Sequence, residues 1–278
     1  MNNTEPPKRT GRILDIPCRY YRQTTDPNVS LLESSFRYVE RILPIPADEA
    51  ALILVDVWNI HTTESHYERA VKIISTRIAP VLQAARAVGM AVVHAPSPAV
   101  VRRCYPEAMP PESGHLDQSP DWPPPEFRNP FRTGEYAAFG RNPEPRADEW
   151  LRIRATELDI AEPVKPLPGE SVIANGDQLH ALLAERRILH LFYVGFATNM
   201  CVIHRDYGIR AMSKRRGYNC ILIRDATTGI EYHDTADSLT ATEMAIREVE
   251  AQLGWSTTTE AFTRVFRPRR NASAYKSE

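Results

Sequence analysis

The segment LHLFYVGFATNMCV, residues 189–202, decides which fold this chain is expected to adopt. Its first half is mostly apolar, it breaks at Gly195, and it resumes with a helical pattern. Thr198 is of a residue type that caps helices, so Cys201 is expected in the first helical turn. A buried strand that runs directly into a helix is typical of α/β proteins with a parallel sheet.

Short apolar runs and amphipathic stretches alternate along the chain from about residue 50. Strands are predicted at 50–57, 90–96, 171–174, 189–196 and 219–226, with an edge strand at 257–266. Helices are predicted at about 66–88, 178–187, 199–216 and 235–253. Continuous apolar strands separated by helices of this length predict an α/β fold, with a parallel sheet flanked by helices on both faces.

Two segments fall outside this alternation. Residues 1–48 precede the first core strand and are interpreted as an N-terminal extension that packs on the domain or on a neighbouring subunit. Residues 97–168 are interpreted as an ordered insertion, because residues 100–168 hold 13 of the 23 prolines together with many aromatic residues. The insertion follows a core strand, so it either roofs a pocket as a lid or forms an oligomer contact. The main domain is then 49–266, with a C-terminal tail at 267–278.

The composition is that of a globular protein with one large domain or two small ones. The 278 residues carry a formal net charge of −1, which provides neither the basic surface of a nucleic-acid-binding protein nor a polybasic membrane patch. No apolar run approaches the roughly 20 residues that a membrane span needs, and the polar start resembles neither a signal peptide nor a lipidation site. We therefore expect a cytoplasmic protein that binds no nucleic acid and no membrane.

The four cysteines, Cys18, Cys104, Cys201 and Cys220, are scattered without a CxxC pair. Their spacing indicates neither a disulfide framework nor a zinc site, and an inert buried thiol is the ordinary role for each of them. Cys201 differs in its position, because the free N–H groups of a helix N-terminus favour a thiolate and can bind the oxyanion formed when it attacks a carbonyl. Asp56 follows the first core strand, where it either caps a turn or takes the thiol proton as a base.

Four motifs together resemble the isochorismatase-like superfamily, the cysteine hydrolases that include nicotinamidases and N-carbamoylsarcosine amidohydrolases. LILVDVWN at 52–59 looks like the family's strand-Asp-x-x-Asn opening, and VGFATNMCV at 194–202 resembles its cysteine loop closely. PGESVI at 168–173 is similar to the segment before the family's lysine, and RDATTG fits the strand that follows the cysteine loop. The resemblance covers about 50–96 and 163–255, and it implies a doubly wound, mostly parallel sheet.

The resemblance implies that Cys201 is the nucleophile and Asp56 the base. It places a cis peptide bond at Phe196–Ala197, and it aims the amides of Ala197 and Cys201 at one oxygen as an oxyanion hole. Aromatic side chains of the insertion are expected to help shape the pocket. The residues expected to bind the substrate are Trp58, Asn59, His61, Phe196 and Asn199.

The chain departs from the family at the third catalytic residue, which is a lysine. Asn175 stands where that lysine is expected, and no lysine occurs between Lys165 and Lys214. Asparagine donates a hydrogen bond but carries no charge, so Asn175 either fills this catalytic position without a charge or leaves the cation to another residue. The candidate cations, each also interpretable as a solvated surface charge, are Arg102, Arg103, Arg128, Arg132, His204 and Arg205.

No metal and no cofactor are expected. Nicotinamidases of the superfamily hold a metal with an Asp-x-His arrangement after the second strand, and HAPSP at 94–98 offers no such pair. His61 and His66 lack a nearby set of carboxylate and histidine partners. The glycine-rich nucleotide motifs are absent as well, so the α/β pattern does not imply a nucleotide.

The sequence therefore predicts a metal-independent hydrolase that cleaves a C–N bond of a small amide, ureide or imide through a thioester on Cys201. Two alternatives stay open: an isochorismatase-type hydrolysis that does not use the cysteine, and a non-catalytic binding or scaffold protein that has lost the lysine. Cys201 in a matching loop argues against the first, and Asn175 favours the second. The resemblance also implies a homo-oligomer, a dimer or tetramer, that acts on a small-molecule substrate.

Overall fold

The structure is a computed structural model that describes residues 12–110, 122–128 and 130–266. The strands in these ranges are β1 (Ile13–Arg22), β2 (Arg37–Pro46), β3 (Ala50–Val55), β4 (Ala91–Ala95), β5 (Ser171–Val172), β6 (His190–Phe196), β7 (Asn219–Thr228) and β8 (Trp255–Thr257). Together these described strands form one sheet of eight strands in the order β2-β1-β8-β7-β6-β3-β4-β5.

The sheet is parallel from β5 to β8, whereas β1 runs antiparallel to both β2 and β8. The central strand β3 has the sequence AALILV, and all six residues are buried. A strand that is apolar at every position must be covered on both faces, which is typical of a parallel sheet. The prediction of a mostly parallel sheet is confirmed.

The helices lie between the strands in chain order. They are α1 (Glu64–Ile73), α2 (Ala79–Ala87), α3 (Pro98–Cys104), α4 (Ala147–Thr156), α5 (Gly176–Glu185), α6 (Thr240–Glu248) and α7 (Thr259–Arg264). Wider π-helical turns occupy Ile74–Ile78, Thr198–Val202, Ala211–Arg215 and Val249–Leu253. Short 3₁₀ turns occupy Glu33–Ser35, Ala47–Glu49, Pro106–Ala108, Pro125–Phe127, Gly134–Phe139 and Glu162–Val164.

Helices cover both faces of the sheet, which produces two separate cores. Leu52 and Leu54 of β3 belong to the same core as Val81 of α2, whereas Ile53 belongs to a second core with Leu183 of α5. Successive side chains of a strand point to opposite faces, so one short strand supplies both cores. The predicted doubly wound α/β architecture is confirmed.

The helix predicted at 199–216 is wrong as a single element. It is divided into the turns Thr198–Val202 and Ala211–Arg215, and the chain turns sharply between them at residues 205–208. The amide of Gly208 donates to the carbonyl of Arg205 at 2.8 Å. A Cβ at Gly208 would lie 2.8 Å from the carbonyl oxygen of Ile203, so this tight turn needs a glycine.

The edge strand predicted at 257–266 is also wrong. The strand is the shorter β8, which ends at Thr257, and helix α7 follows it. The Thr258 side chain accepts a hydrogen bond from the amide of Ala261 at 3.1 Å, which caps the helix. Threonine-rich sequence favours strands, but the same residue type is a good N-cap, and here the cap prevails.

The described part of the N-terminal extension continues the sheet of the main domain. Strands β1 and β2 form an antiparallel pair over ten residues each, and β1 joins β8 where Arg19 lies opposite Ser256. Leu14 and Ile16 of β1 are buried in the first core. The domain boundary at residue 48 stays a prediction, because this pair of strands shares a core with the residues that follow it.

The described parts of the insertion, from α3 to the turn at 162–164, include buried Ile153, Leu158 and Ile160, of which Leu158 and Ile160 belong to the first core. Ile160 also forms an isolated β-bridge with Trp58. Residues 111–121 and 129 of the insertion, and the predicted tail at 267–278, lie outside the described residues. Within the described ranges, no helix combines the length and the apolar character required to cross a lipid bilayer.

Candidate active site

A cavity of about 250 Å³ opens at the carboxyl ends of β3 and β6. Asp56, which follows β3, and Cys201, which follows β6, both line it. The carboxyl ends of parallel strands are the usual location of sites in open α/β sheets. The two residues that the sequence singled out therefore face one cavity.

Asp56 is fully buried, in a backbone conformation that is uncommon for a side chain other than glycine. Its φ is +45°, its amide donates to the carbonyl of Ala95 at 3.2 Å, and aspartate is among the few residues that tolerate this left-handed region. Arg205 Nη2 lies 3.4 Å from Asp56 Oδ2. Among the described residues, Asp56 Oδ1 has no hydrogen-bond partner of ordinary geometry.

Burial raises the pKa of Asp56, and the nearby Arg205 guanidinium and Cys201 thiol oppose that shift. A buried carboxylate without a full set of hydrogen bonds gains from a proton, because burial penalises its charged form. Asp56 is therefore suited to accept a proton and return it, as a general acid and base must do.

Cys201 lies in the π-helical turn Thr198–Val202, half-buried and lining the cavity. The predicted cap is wrong: Ala197 occupies the N-cap position, and the Thr198 hydroxyl pairs with Thr227 Oγ1 at 2.7 Å. Burial, followed by the charge of Asp56, raises the pKa of the Cys201 thiol to about 12, although Arg205 opposes the shift. A pKa this high favours the protonated thiol at neutral pH, in contrast to the expected thiolate.

Gly195 allows β3 and β6 to approach closely beside the cavity. Its φ is +119°, and a Cβ there would lie 1.9 Å from the carbonyl oxygen of Val55. No other residue fits against the neighbouring strand in this conformation. The Phe196–Ala197 peptide bond that follows is cis, as predicted.

Of the five residues expected to bind substrate, Trp58 and His61 line the cavity. Their rings lie 5.0 Å apart, and burial lowers the pKa of His61, which favours its neutral form. Ala197, expected in the oxyanion hole with Cys201, lines the same cavity. Trp58 and His61 form the aromatic part of the cavity wall that Ala197 and Cys201 also line.

Asn59, Phe196 and Asn199 are not brought into the cavity wall and act as supports instead. The Asn59 amide donates to the carbonyl of Glu157 at 3.0 Å, which ties the end of β3 to the insertion. Asn199 donates to the carbonyl of Ile230 at 2.8 Å and accepts from its amide at 3.0 Å. Phe196 is fully buried, with its ring 6.1 Å from that of Trp58.

Asn175 caps helix α5 and does not line the cavity. Its side-chain oxygen accepts a hydrogen bond from the amide of Gln178 at 2.9 Å. Because capping oxygens are engaged with the helix, Asn175 is in no position to replace a lysine beside the thiol. Sequence alone could not separate these roles, since asparagine serves both as a helix cap and as a polar site residue.

Arg205 is the member of the predicted set of cations that lines the cavity. Arg103 donates instead to the carbonyls of Thr156 and Leu158, and Arg132 donates to the carbonyl of Phe139. His204 faces a separate groove beside α6, and Arg102 lines a neighbouring depression on α3 and α4. Arg128 donates to the carbonyl of Pro123.

The sequence reasoning did not assign several residues of the cavity wall. The insertion contributes Arg154 and Leu158, and one helical turn before Arg154 on α4 it contributes Trp150, one of the insertion's aromatic side chains that the sequence expected to help shape the pocket. The i, i+4 spacing of Trp150 and Arg154 was a usable indication, because residues four apart share one face of a helix. The other unassigned residues of the wall are Ser97, Met200 and Ile230.

A metal site does not emerge from the described residues, because no group of three or more His, Cys, Asp or Glu side chains is placed to hold an ion. The rings of His61 and His66 lie 5.1 Å apart, but His66 Nδ1 pairs with the carbonyl of Gly229 at 3.0 Å. Burial lowers the pKa of His66 to about 4. This buried histidine packs against Trp58 and Phe196 and does not line the cavity.

Comparison with known proteins places this geometry in a family. The isochorismatase domain matches residues 50–261, which is most of the chain. The ureidoacrylate amidohydrolase RutB of Azorhizobium caulinodans is 25% identical over 244 residues, covering 81% of this chain and 93% of that protein. RutB of Variovorax paradoxus is 27% identical over 240 residues, covering 81% and 84%.

A solved structure supports the fold. The cysteine hydrolase from Pseudomonas syringae pv. phaseolicola aligns with a TM-score of 0.51 at 19% identity, over 81% of this chain and 95% of that one. Both the fold class and the resemblance noted from the motifs are confirmed. This chain belongs to the isochorismatase family, and it is a hydrolase.

Proposed function

We propose that this protein hydrolyses a C–N bond of a small amide or ureide through a thioester on Cys201. The observation that carries the proposal is the pairing of the Cys201 thiol with the buried Asp56 carboxyl in one cavity, where each shifts the pKa of the other. Relatives that span most of the chain are ureidoacrylate amidohydrolases, which supports a ureide substrate.

The reaction begins when Asp56 accepts the thiol proton and the sulfur attacks the substrate carbonyl. The amides of Ala197 and Cys201 stabilise the oxyanion, and Asp56 returns the proton to the leaving nitrogen as the C–N bond breaks. The product of this half-reaction is an amine and an acyl-cysteine thioester, or a thiocarbamate where a ureide is attacked. Water, deprotonated by Asp56, then releases the acid and restores the thiol.

The cavity favours a small planar substrate with a negative charge. Trp58, His61 and Trp150 form flat aromatic walls around about 250 Å³, space for a ureide but not for a peptide. Arg154 lines the same cavity and has no hydrogen-bond or ion-pair partner among the described residues. Its guanidinium fits a carboxylate, the group that the name ureidoacrylate implies for the substrate of the relatives.

The test is a panel of carboxylate-bearing ureides and their neutral amides, assayed by release of ammonia and amine with wild type, Cys201→Ala and Asp56→Asn. We expect turnover by wild type to fall at least about 1,000-fold in both variants. Cys104→Ala, which removes a half-buried cysteine that does not line the cavity, is the matched control and should retain activity.

Mass spectrometry of wild type, mixed with substrate and quenched in acid during turnover, should detect an acyl group on Cys201, and Cys201→Ala should show none. Full activity of Cys201→Ala would contradict the cysteine mechanism and favour an isochorismatase-type reaction. Binding of the panel compounds without turnover, unchanged in Cys201→Ala, would favour a non-catalytic binding protein.

We also propose that the protein works as a cytoplasmic homo-oligomer. The proposal rests on exposed apolar side chains along the N-terminal extension, among them Leu31 at 68% and Ile42 at 66% exposed. Apolar patches of this kind commonly become covered in an assembly.

A further inference from the structure

Arg205 is the charged group nearest to the proposed reacting pair. Its Nη2 lies 3.4 Å from Asp56 Oδ2, and it lines the cavity with Asp56 and Cys201. Its side chain is 33% exposed while that of Asp56 is fully buried, so the guanidinium reaches inward from the protein surface. Among the described residues its buried Nε has no hydrogen-bond partner, so it retains a donor beside the cavity.

The turn at residues 205–208 is fixed against the rest of the fold. The Arg205 amide donates to the carbonyl of Cys201 at 3.1 Å, so the guanidinium and the thiol belong to adjacent helical turns. The Tyr193 hydroxyl donates to the carbonyl of Tyr207 at 2.9 Å, and the Tyr207 hydroxyl donates to the carbonyl of Pro96 at 3.1 Å. A turn held on two sides keeps Arg205 in one place.

The same turn contacts the N-terminus of α5, where the sequence lacks the expected lysine. Asp206 Oδ2 accepts a hydrogen bond from the Gly176 amide at 2.7 Å. A Cβ at Gly176 would lie 2.4 Å from the carbonyl oxygen of Asp206, so only glycine allows this approach. Gly176 thus contacts the turn that carries Arg205 through both the side chain and the backbone of Asp206.

From these contacts we infer that Arg205 is a catalytic residue that supplies the cation of the site in place of the lysine, and that Asp206 positions it through Gly176. The inference rests on the proposed function for its chemistry. The third catalytic group would then lie in the turn that follows Cys201, and not at the start of α5 where the family's lysine is expected.

The chemistry that Arg205 supplies is electrostatic. When the thiol proton moves to Asp56, the negative charge moves from the carboxylate to the sulfur and then to the substrate oxygen, so the site as a whole, with substrate bound, carries one negative charge beside Arg205 at each stage. The guanidinium stays protonated throughout, because its pKa is raised well above the ordinary arginine value by Asp56, against the effect of burial. It therefore offsets the negative charge at every stage without exchanging a proton.

The first test needs no substrate. Alkylation of Cys201 by iodoacetamide is followed by mass spectrometry between pH 6 and 10 in wild type, Arg205→Met and Arg205→Lys. The groups that face Arg205 and shape this profile are Asp56, Cys201 and Tyr207. We expect Arg205→Met to react about 10-fold more slowly at pH 8, because losing the positive charge disfavours the thiolate, and Arg205→Lys to stay within about threefold of wild type.

Arg210→Met is the matched control, because Arg210 is an exposed arginine on the same segment, paired with Glu248. It should alkylate at the wild-type rate. Circular dichroism of each variant verifies the fold, and comparison of Arg205→Lys with Arg205→Met separates charge from packing even where both lose stability. Equal alkylation of Cys201 in wild type and folded Arg205→Met would overturn the role of Arg205.

Asp206 is tested with the same alkylation profile. Asp206→Ala removes the acceptor for the Gly176 amide and should slow alkylation, whereas Asp206→Asn keeps an acceptor oxygen and should restore it. A wild-type profile for Asp206→Ala would refute the positioning role while leaving that of Arg205 intact.

The second test is turnover of the ureide panel. We expect kcat/KM of Arg205→Met to fall about 100-fold, with Arg205→Lys recovering most of it. The two tests distinguish a failure of the proposed function from a failure of the role given to Arg205. A panel that wild type does not hydrolyse counts against the proposed function, but the alkylation result still decides the role of Arg205. Turnover in folded Arg205→Met at the wild-type rate would reject Arg205 as the catalytic cation while the hydrolase stands.

Discussion

At the residue scale, burial acts against the charged forms of both Asp56 and Cys201. Burial raises the pKa of both groups, so the pair retains one shared proton and does not release it to water. Arg205 lowers both pKa values and reduces the cost of keeping one negative charge in the cavity. A nucleophile that is neutral at rest and ionised only within the complex is protected from adventitious oxidation, which proceeds through the thiolate.

The reactivity of the four cysteines tests this description. Cys201 should be alkylated by iodoacetamide faster than the buried Cys18 and Cys220, because it lines the cavity with a carboxyl group beside it. Since its pKa is raised to about 12, its alkylation rate should keep rising with pH up to at least pH 10. Peptide mass spectrometry after brief labelling measures both. Labelling of Cys201 no faster than that of Cys18 and Cys220 would count against the nucleophile.

At the scale of single elements, strand and helix ends determine where the reactive groups lie. The sequence predicted that Asp56 and Cys201 lie at one edge of the sheet, because each follows an apolar run that indicates a buried strand. It named Arg205 only as one of six candidate cations, because the periodicity through 199–216 is that of one helix, and the turn that breaks it contacts Gly176. Nor could it show that Asn59 and Asn199 bind backbone groups, since those partners lie 98 and 31 residues away along the chain.

Helix α5 provides a prediction about Asn175. Asn175→Ala should destabilise the protein by about 1 kcal/mol through loss of the N-cap, and reduce kcat/KM by less than about threefold, because the side chain does not reach the cavity. Asn175→Lys should not raise activity for the same reason. Thermal unfolding and turnover of the ureide panel measure the two effects. Activity that appears only in Asn175→Lys would show that the natural site is inactive.

A second element-scale prediction concerns Glu170, which links α2 and β4 to the loop before β5. Its carboxylate accepts hydrogen bonds from Arg86 of α2 at 2.6 Å and from the Leu167 amide at 2.9 Å, and pairs with His94 of β4 at 2.8 Å. Burial alone would raise the pKa of Glu170, but these bonds hold it well below the ordinary value of 4.5. Because the folded pKa is depressed, this stabilisation is present above about pH 4.5 and is lost as the pH falls below it.

We expect Glu170→Gln to lower the free energy of unfolding by about 3 kcal/mol at pH 7, and by much less at pH 3. Urea denaturation at the two pH values measures the difference. Glu149→Gln, which removes an exposed ion pair with Arg146, is the control and should leave the stability unchanged at both. An equal loss in Glu170→Gln at pH 7 and pH 3 would show that packing, and not the charge, is responsible.

At the scale of the whole molecule, the parallel centre of the sheet follows from local patterns, whereas the rest depends on distant pairings. The parallel strands β3, β4, β6 and β7 are apolar runs that pair side by side. Strand β1 instead reaches β8, where Arg19 lies opposite Ser256, and the Arg19 guanidinium pairs with Glu250 at 2.7 Å. Contacts between residues more than 200 positions apart produce no periodic pattern in the sequence. The sequence therefore indicates an N-terminal extension but not the strand on which it packs.

That extension also leads to the last prediction. Strand β2 is an edge of the sheet, and on it Ile42 is 66% exposed, while Leu31 and Leu32 before it are 68% and 57% exposed. An open edge with apolar side chains is a surface that a second copy can cover. We expect light scattering at micromolar concentration to give a mass of two or four times 31.5 kDa, and Ile42→Lys to shift the protein toward the monomer. Val71→Lys, an equally simple change at an exposed position of α1, should not. A monomeric wild type would remove the interface role from residues 1–48 and 97–168, and a dimer unaffected by Ile42→Lys would place the interface elsewhere on the molecule.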